Sequence, residues 1–312
     1  MVLVSYSLSI LLLFLAFSAR AQVVSRTQIP AQVIKGANKD SLSEVIAVPK
    51  MKVDDIQIYY EMKGEGFPLV MIMGLGRNLE SWDSRLVEGL SKKFKLVMFD
   101  NRGAGRTDIS DREYTIRLFA EDITDLMNTL GISKAHILGI SMGGMIAQEL
   151  VLNYPEKVSK LVLCSTYSGG SKTVQPSQKV SEMLTADVST MSPEEYYRKI
   201  YLPLVYTDDF IEENPDFMKL HVQKSLRYPI SKAAYMRQLD AIGKFNTYER
   251  LQQIKTPTLV LHGKKDVLVP SENGAILAEA IPNAKLVNLE KSAHYLAEEM
   301  REVINVLTEF LD

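Results

Sequence analysis

The chain has little of what would bind a metal or staple a small fold. In 312 residues there is one cysteine, Cys164, and there are four histidines, His136, His221, His262 and His294. One thiol cannot close a disulfide within the chain, and no Cys/His cluster has zinc-ligand spacing, so neither a metal nor another cofactor is expected. An excess of one charge is missing too. The 36 Lys and Arg and 38 Asp and Glu leave a net charge of -2, mixed along the chain rather than blocked. That argues against nucleic acid or an anionic membrane surface as the main partner. There is no internal repeat, no low-complexity stretch and no mark of an obligate protein partner. With 46% hydrophobic residues the chain can bury one large core, and single α/β domains reach this size.

The amino terminus lacks Lys or Arg ahead of its apolar run. Leu8 to Phe17 nevertheless has the length of a signal-peptide core, and Ala19-Arg20-Ala21 follows as an A-x-A cleavage pattern. The expectation is a signal peptide over 1–21, cleaved between Ala21 and Gln22, and an exported, periplasmic or secreted protein. The rival reading is an uncleaved membrane anchor, since Val2 to Ala19 nearly reaches bilayer-spanning length. No lipobox cysteine is present, which argues against a lipoprotein. Residues 22–48 are polar without a clear period and read as a linker.

What is there begins at Lys50. Met51–Val53 and Ile56–Tyr60 alternate around Asp54-Asp55 as a hairpin. Leu69–Met73 and Lys95–Phe99 are continuous apolar runs, suited to strands buried on both faces of a largely parallel sheet. A helix is predicted from Thr115 to Leu130, with Leu118, Ile123, Leu126 and Leu130 inward. Strands follow at His136–Ile140 and Val158–Cys164. From 168 to about 251 the alternation stops, and a helical stretch broken by Pro193, Pro203, Pro215 and Pro229 reads as an inserted cap. Then Thr258–His262 (strand), Glu272–Ala280 (helix), Lys285–Leu289 (strand) and Tyr295–Phe310 (helix) resume the pattern. The whole is an α/β fold, a mostly parallel doubly wound sheet with its ligands at the carboxyl ends of the strands.

At the centre lies Gly139-Ile140-Ser141-Met142-Gly143, between an apolar strand and a helix ending before Pro155. A serine on such a turn sits on strained backbone with its hydroxyl pushed out, and the helix aims its amino end at it. The five-residue pattern alone turns up by chance in roughly one chain in ten of this length, so the strand and helix around it carry the weight. Here the sequence resembles the α/β-hydrolase family over nearly all of 50–312. Ser141 is then the expected nucleophile. A serine there argues against dehalogenases and epoxide hydrolases, which use aspartate.

A serine hydroxyl needs a base. His136 starts the nucleophile strand at the far end from Ser141. His221 lies in the cap, in a packing or surface role, and His262 is occupied in a turn. His294 follows a strand and a short loop at the carboxyl edge, which makes it the expected base. Asp266, on the loop after Thr258–His262, is the expected acid and matches the family's acid loop. The order Ser141, Asp266, His294 is the family's order. The Met142 N–H at the helix start is one expected oxyanion donor. By the resemblance, Leu75 N–H is the second, although Met73-Gly74 stands where many members have His-Gly. Asp100 and Arg102 look like the family's structural D-x-R-G turn. Trp82 and Cys164 are expected in the core.

Gly74-Leu75-Gly76, Asp100–Arg106 and Tyr248–Leu251 are similar to the esterase, enol-lactonase and cofactor-free haloperoxidase branch. The resemblance implies a serine hydrolase that cleaves a carboxylic ester or lactone through an acyl-enzyme. The alternatives are an acyltransferase with the same Ser-His-Asp triad and a non-catalytic binding protein of the same fold. The cap is rich in Tyr and Met, which suits a small-molecule substrate with an apolar acyl group. Its Arg198, Arg227 and Arg237 are each able to pair with one carboxylate.

Overall fold

The computed structural model describes residues 50–184, 186 and 190–312. The signal peptide, the alternative anchor and the linker over 22–48 lie outside the described residues. Eight strands are present: β1 (Lys50–Val53), β2 (Ile56–Lys63), β3 (Phe67–Ile72), β4 (Phe94–Phe99), β5 (Ala135–Ile140), β6 (Val158–Cys164), β7 (Thr258–Gly263) and β8 (Lys285–Leu289). They form one sheet in the order β1-β2-β4-β3-β5-β6-β7-β8. β1 and β2 make the expected hairpin and β2 runs antiparallel to β4; every other pair is parallel.

The helices are α1 (Ser84–Leu90), α2 (Ile116–Thr129), α3 (Met142–Asn153), α4 (Gln178–Leu184), α5 (Pro193–Tyr196), α6 (Leu202–Val205), α7 (Asp208–Glu213), α8 (Pro215–Arg227), α9 (Lys232–Gly243), α10 (Glu272–Ala280) and α11 (Met300–Leu311). Alternate residues of the central strands enter opposite cores. Val70, Ile72, Ile137 and Val260 pack with residues of α2, α3 and α10. Leu69, Met71, Leu138 and Leu259 pack with α1 and α11. Each fully buried aliphatic side chain is worth about 1.5–3 kcal/mol, so covering both faces is what makes the continuous apolar runs strands. Cys164 and Trp82 lie in the second core, as expected, and burial pushes the Cys164 thiol up to about 12.

Between β6 and β7 the helices α4 to α9 form the cap, with a hydrophobic cluster of its own around Tyr196, Leu204, Tyr206, Met218 and Val222. Pro193 and Pro215 open helices, where the missing N–H costs nothing. Pro203 does not break the chain as expected. It follows a π-turn, Tyr197–Tyr201, that joins α5 to α6. Two further differences concern boundaries. α1 was not visible in the hydrophobic pattern; it is short and held by Asp83, whose carboxylate accepts the Arg85 N–H at 2.8 Å. The last helix begins at Met300 rather than Tyr295, because Leu296 takes a left-handed φ of 58° and a 3-10 turn precedes the helix.

Candidate active site

Ser141 sits between β5 and α3 with φ 57° and ψ -123°, a conformation that costs a non-glycine residue on the order of 1–3 kcal/mol. The surroundings hold it there. Its N–H donates to the Cys164 carbonyl at 3.0 Å, and its carbonyl accepts from Gly144 N–H at 2.9 Å and the Thr166 hydroxyl at 2.8 Å. The flanking glycines are sterically required: a Cβ on Gly143 would lie 2.1 Å from the Ile72 carbonyl, and one on Gly139 2.2 Å from that of Gly143. The Ser141 side chain makes no capping bond to α3, so its hydroxyl is not engaged by its own helix.

His294 and Asp266 are brought together. His294 Nδ1 lies 2.8 Å from Asp266 Oδ2, and both side chains are buried. The other carboxylate oxygen, Oδ1, accepts the N–H groups of Leu268 at 3.0 Å and Val269 at 2.8 Å. Burial alone pushes the Asp266 carboxyl up, but the neighbouring imidazoles of His294 and His262 outweigh it and hold it below the usual carboxylate range. Asp266 is therefore an anion fixed at both oxygens. The three groups are not all joined: among the described residues no hydrogen bond links Ser141 Oγ to His294.

The other histidines are accounted for. His262 is fully buried; its Nε2 donates to the Val269 carbonyl at 2.9 Å and lies 3.4 Å from Asp266 Oδ2. It buttresses the acid loop. His136 packs against Phe67 and Phe94, and burial and Lys160 lower it to about 4. His221 is buried in the cap against Tyr206 and Tyr201, and burial and Arg77 lower it to about 3. Both stay neutral at physiological pH.

The loop after β3 passes directly over the serine, since a Cβ on Gly74 would lie 3.6 Å from Ser141 Oγ. Among the described residues, no acceptor takes the N–H of Leu75 or of Met142. Two side chains hold this loop. Asn101 Nδ2 donates to the Met73 carbonyl at 2.8 Å. Gln238 of α9, fully buried, accepts the Gly76 N–H at 2.8 Å and donates to the Arg102 carbonyl at 3.0 Å, tying the loops after β3 and β4 to the cap. Asp100 accepts from Leu79 N–H at 2.7 Å and Arg106 N–H at 2.8 Å. The fully buried Arg102 pairs with Asp122 and Asp55, so this turn is structural as expected.

Each of the three cap arginines has an acidic partner within the chain. Arg198 pairs with Glu194, Arg227 with Glu80 and Arg237 with Asp111. A different cation stands over the loop. Arg77 is half-buried, with its guanidinium 3.8 Å above the Tyr201 ring and 5.0 Å from that of Tyr197, and it donates to the Tyr197 hydroxyl at 2.6 Å. Tyr201 and Tyr295 share a hydroxyl hydrogen bond of 2.6 Å, and Tyr295 follows His294. Burial pushes the Tyr201 and Tyr206 phenols well above their ordinary value, so they are neutral. Among the described residues no group of three or more His, Cys, Asp or Glu is arranged to hold a metal, and no helix is long and apolar enough to cross a membrane.

Asn101, Thr166, Gln238, His262 and Arg77 were not singled out for these roles from the sequence. Only His262 carried a signal there, through its position four residues before Asp266.

Comparison with known proteins agrees with this fold. The family model described as alpha/beta hydrolase fold matches residues 68–299. A protein of Azorhizobium caulinodans, named as a carbamate hydrolase, RutD, is 28% identical over 253 residues, covering 80% of this chain and 93% of the relative. A poly(3-hydroxyalkanoate) depolymerase of Ectopseudomonas oleovorans is 29% identical over 244 residues, 78% of this chain and 84% of its own. The crystal structure of the enol-lactonase from Burkholderia xenovorans LB400 superimposes with a TM-score of 0.72 at 26% identity, covering 84% of this chain and 99% of that one.

Proposed function

This chain belongs to the α/β-hydrolase fold family, and on that premise we propose that it is a serine hydrolase cleaving a carboxylic ester or lactone through an acyl-enzyme. The observation that carries the reading is the 2.8 Å bond from His294 to an ionised, doubly held Asp266, together with a serine kept in a strained, half-buried turn at the carboxyl end of β5. Asp266 fixes the imidazole with Nδ1 protonated, so Nε2 is the free base. Ser141 Oγ attacks the substrate carbonyl as Nε2 takes its proton, and the serine–histidine bond closes in the substrate complex, as is common for such pairs. The developing oxyanion takes the N–H groups of Leu75 and Met142. The imidazolium then protonates the departing alcohol, and a water activated by the same nitrogen releases the acid.

The cap supports an apolar acyl group of modest size. Tyr235 lies against the loop over the serine, 2.9 Å from where a Gly76 Cβ would stand, while Tyr196, Tyr206 and Met218 are spent inside the cap's own core. An aromatic lid over a serine excludes water. Short-to-medium acyl esters should therefore be turned over faster than palmitate esters.

Labelling with a fluorophosphonate and a panel of p-nitrophenyl esters and lactones tests the reading. Ser141→Ala should lose the label and all but about a thousandth of turnover, with the melting temperature nearly unchanged. Asp266→Asn should lose turnover strongly but less completely. Turnover persisting in Ser141→Ala above one per cent sinks the assignment.

A further inference from the structure

We propose that the substrate carries a second, ionised carboxylate and that Arg77 receives it; this rests on the serine-hydrolase reading and names its substrate class. Among the described arginines, Arg77 and the exposed Arg301 make no ion pair. Arg301 faces water, which satisfies it. Arg77 does not: it is half-buried against tyrosine rings, and its one side-chain hydrogen bond goes to the Tyr197 hydroxyl and not to an acid. A guanidinium has five N–H donors in a planar fork that matches a carboxylate, and a partly desolvated cation without an anion is costly unless something answers it. The tyrosine faces hold the positive charge in place without neutralising it.

Position connects this cation with the chemistry. Arg77 N–H closes a turn onto the Gly74 carbonyl at 3.3 Å, and Gly74 is the residue that lies over Ser141. From the other side, Tyr201 beneath the guanidinium bonds to Tyr295, the neighbour of His294, and the rings of His294 and Tyr295 are 5.9 Å apart. Nucleophile and base thus stand at the two ends of one short chain of contacts that passes through the cation. The nearby phenols of Tyr201 and Tyr295 are kept protonated by burial and do not serve as anions. The neighbouring His221 is held neutral and adds no competing charge. A carboxylate on the substrate completes the Arg77 site, and the Tyr197 hydroxyl is free to donate to it as well.

The test compares half-esters with their neutral counterparts of equal carbon number. p-Nitrophenyl hydrogen succinate, glutarate and adipate are set against butyrate, valerate and hexanoate. Phenyl and p-carboxyphenyl valerate place the charge on the alcohol side instead. Wild type should favour the charged member of at least one pair by tenfold or more in kcat/KM. Arg77→Met should reduce that ratio at least 30-fold, chiefly through KM, and Arg77→Lys should restore part of it. No preference in wild type, or a ratio unmoved by Arg77→Met, overturns the proposal. In parallel, glutarate and adipate should raise the melting temperature of Ser141→Ala protein, and valerate should not. That binding readout does not depend on turnover. Loss of fluorophosphonate labelling and of neutral-ester turnover in wild type would instead remove the hydrolase reading itself.

Discussion

Two loops at the carboxyl edge of the sheet each carry an arginine, Arg102 fully buried and Arg77 half-buried, and they treat it in opposite ways. After β4, Arg102 is enclosed by Asp122, with a 2.8 Å bond from Nε, and by Asp55 and the Ser110 hydroxyl. After β3, which pairs with β4 in the sheet, Arg77 is enclosed by phenols. The first cation is complete before any ligand arrives. The second is electrically unfinished. A buried charge whose partners are all built into the chain is a fold device; one that lacks an acidic partner leaves room for an anion from outside, as proposed for Arg77.

The comparison breaks most visibly at Arg102. Arg102→Met removes the cation and leaves Asp122, whose carboxyl burial already lifts to about 6 despite Arg102, without its partner. Loss of roughly 3–5 kcal/mol of unfolding free energy is expected, read as a fall in denaturation midpoint. Arg77→Met should leave that midpoint almost where it was. Equal losses at the two positions would erase the distinction.

Gln238 sharpens it, because one side chain spans both loops. Gln238→Leu orphans the Gly76 N–H and the Arg102 carbonyl at once. A buried group left unpaired costs about 1–3 kcal/mol, part of which water recovers at half-buried Gly76. Turnover should fall further than stability alone accounts for, since the Leu75 N–H rides on the same loop. Unchanged kcat at a temperature where the variant is folded would detach the cap from the oxyanion loop.

The smallest effect concerns acid. His221 is lowered to about 3 by burial and then by Arg77, so the folded chain refuses a proton that the unfolded chain accepts below histidine's ordinary 6.5. The unfolded state therefore binds more protons as pH falls, and the stability is full above 6.5 and declines toward 3. His136, lowered to about 4, acts in the same direction. The slope is at most about 1.4 kcal/mol per pH unit for each group. Melting temperatures at pH 6 and 5 should differ less in His221→Gln than in wild type, and slightly less in Arg77→Met. Identical slopes in all three would mean that His221 titrates normally.

Much of this was legible in the residues. The elbow announced itself because Gly139 and Gly143 are demanded by clashes only a few residues away, so the constraint is local in sequence. Asp266 and His294 were readable from the strands that precede them, because parallel topology sends the end of every such strand to one edge. Gln238, Asn101 and Thr166 were not. Each acts through one hydrogen bond to backbone far along the chain, and nothing in their neighbours signals it. Arg77 was missed for a related reason: an unpaired cation is defined by what is absent around it in space. Arg198, Arg227 and Arg237, by contrast, each have an acid of the chain nearby. The last helix was overrun because its apolar period continues through Tyr295 and Leu296, while the left-handed backbone at Leu296 stops it.

The lone thiol has a use of its own. Cys164 ends β6, buried and chemically quiet, and its carbonyl holds the Ser141 N–H. With no other cysteine in the sequence, a thiol reagent has a single address, and it can reach it only when the strand beside the elbow opens. The protein thus carries a tamper seal at its centre. The rate at which that seal is modified clocks the opening of the strand that anchors the serine, with no probe having to be engineered.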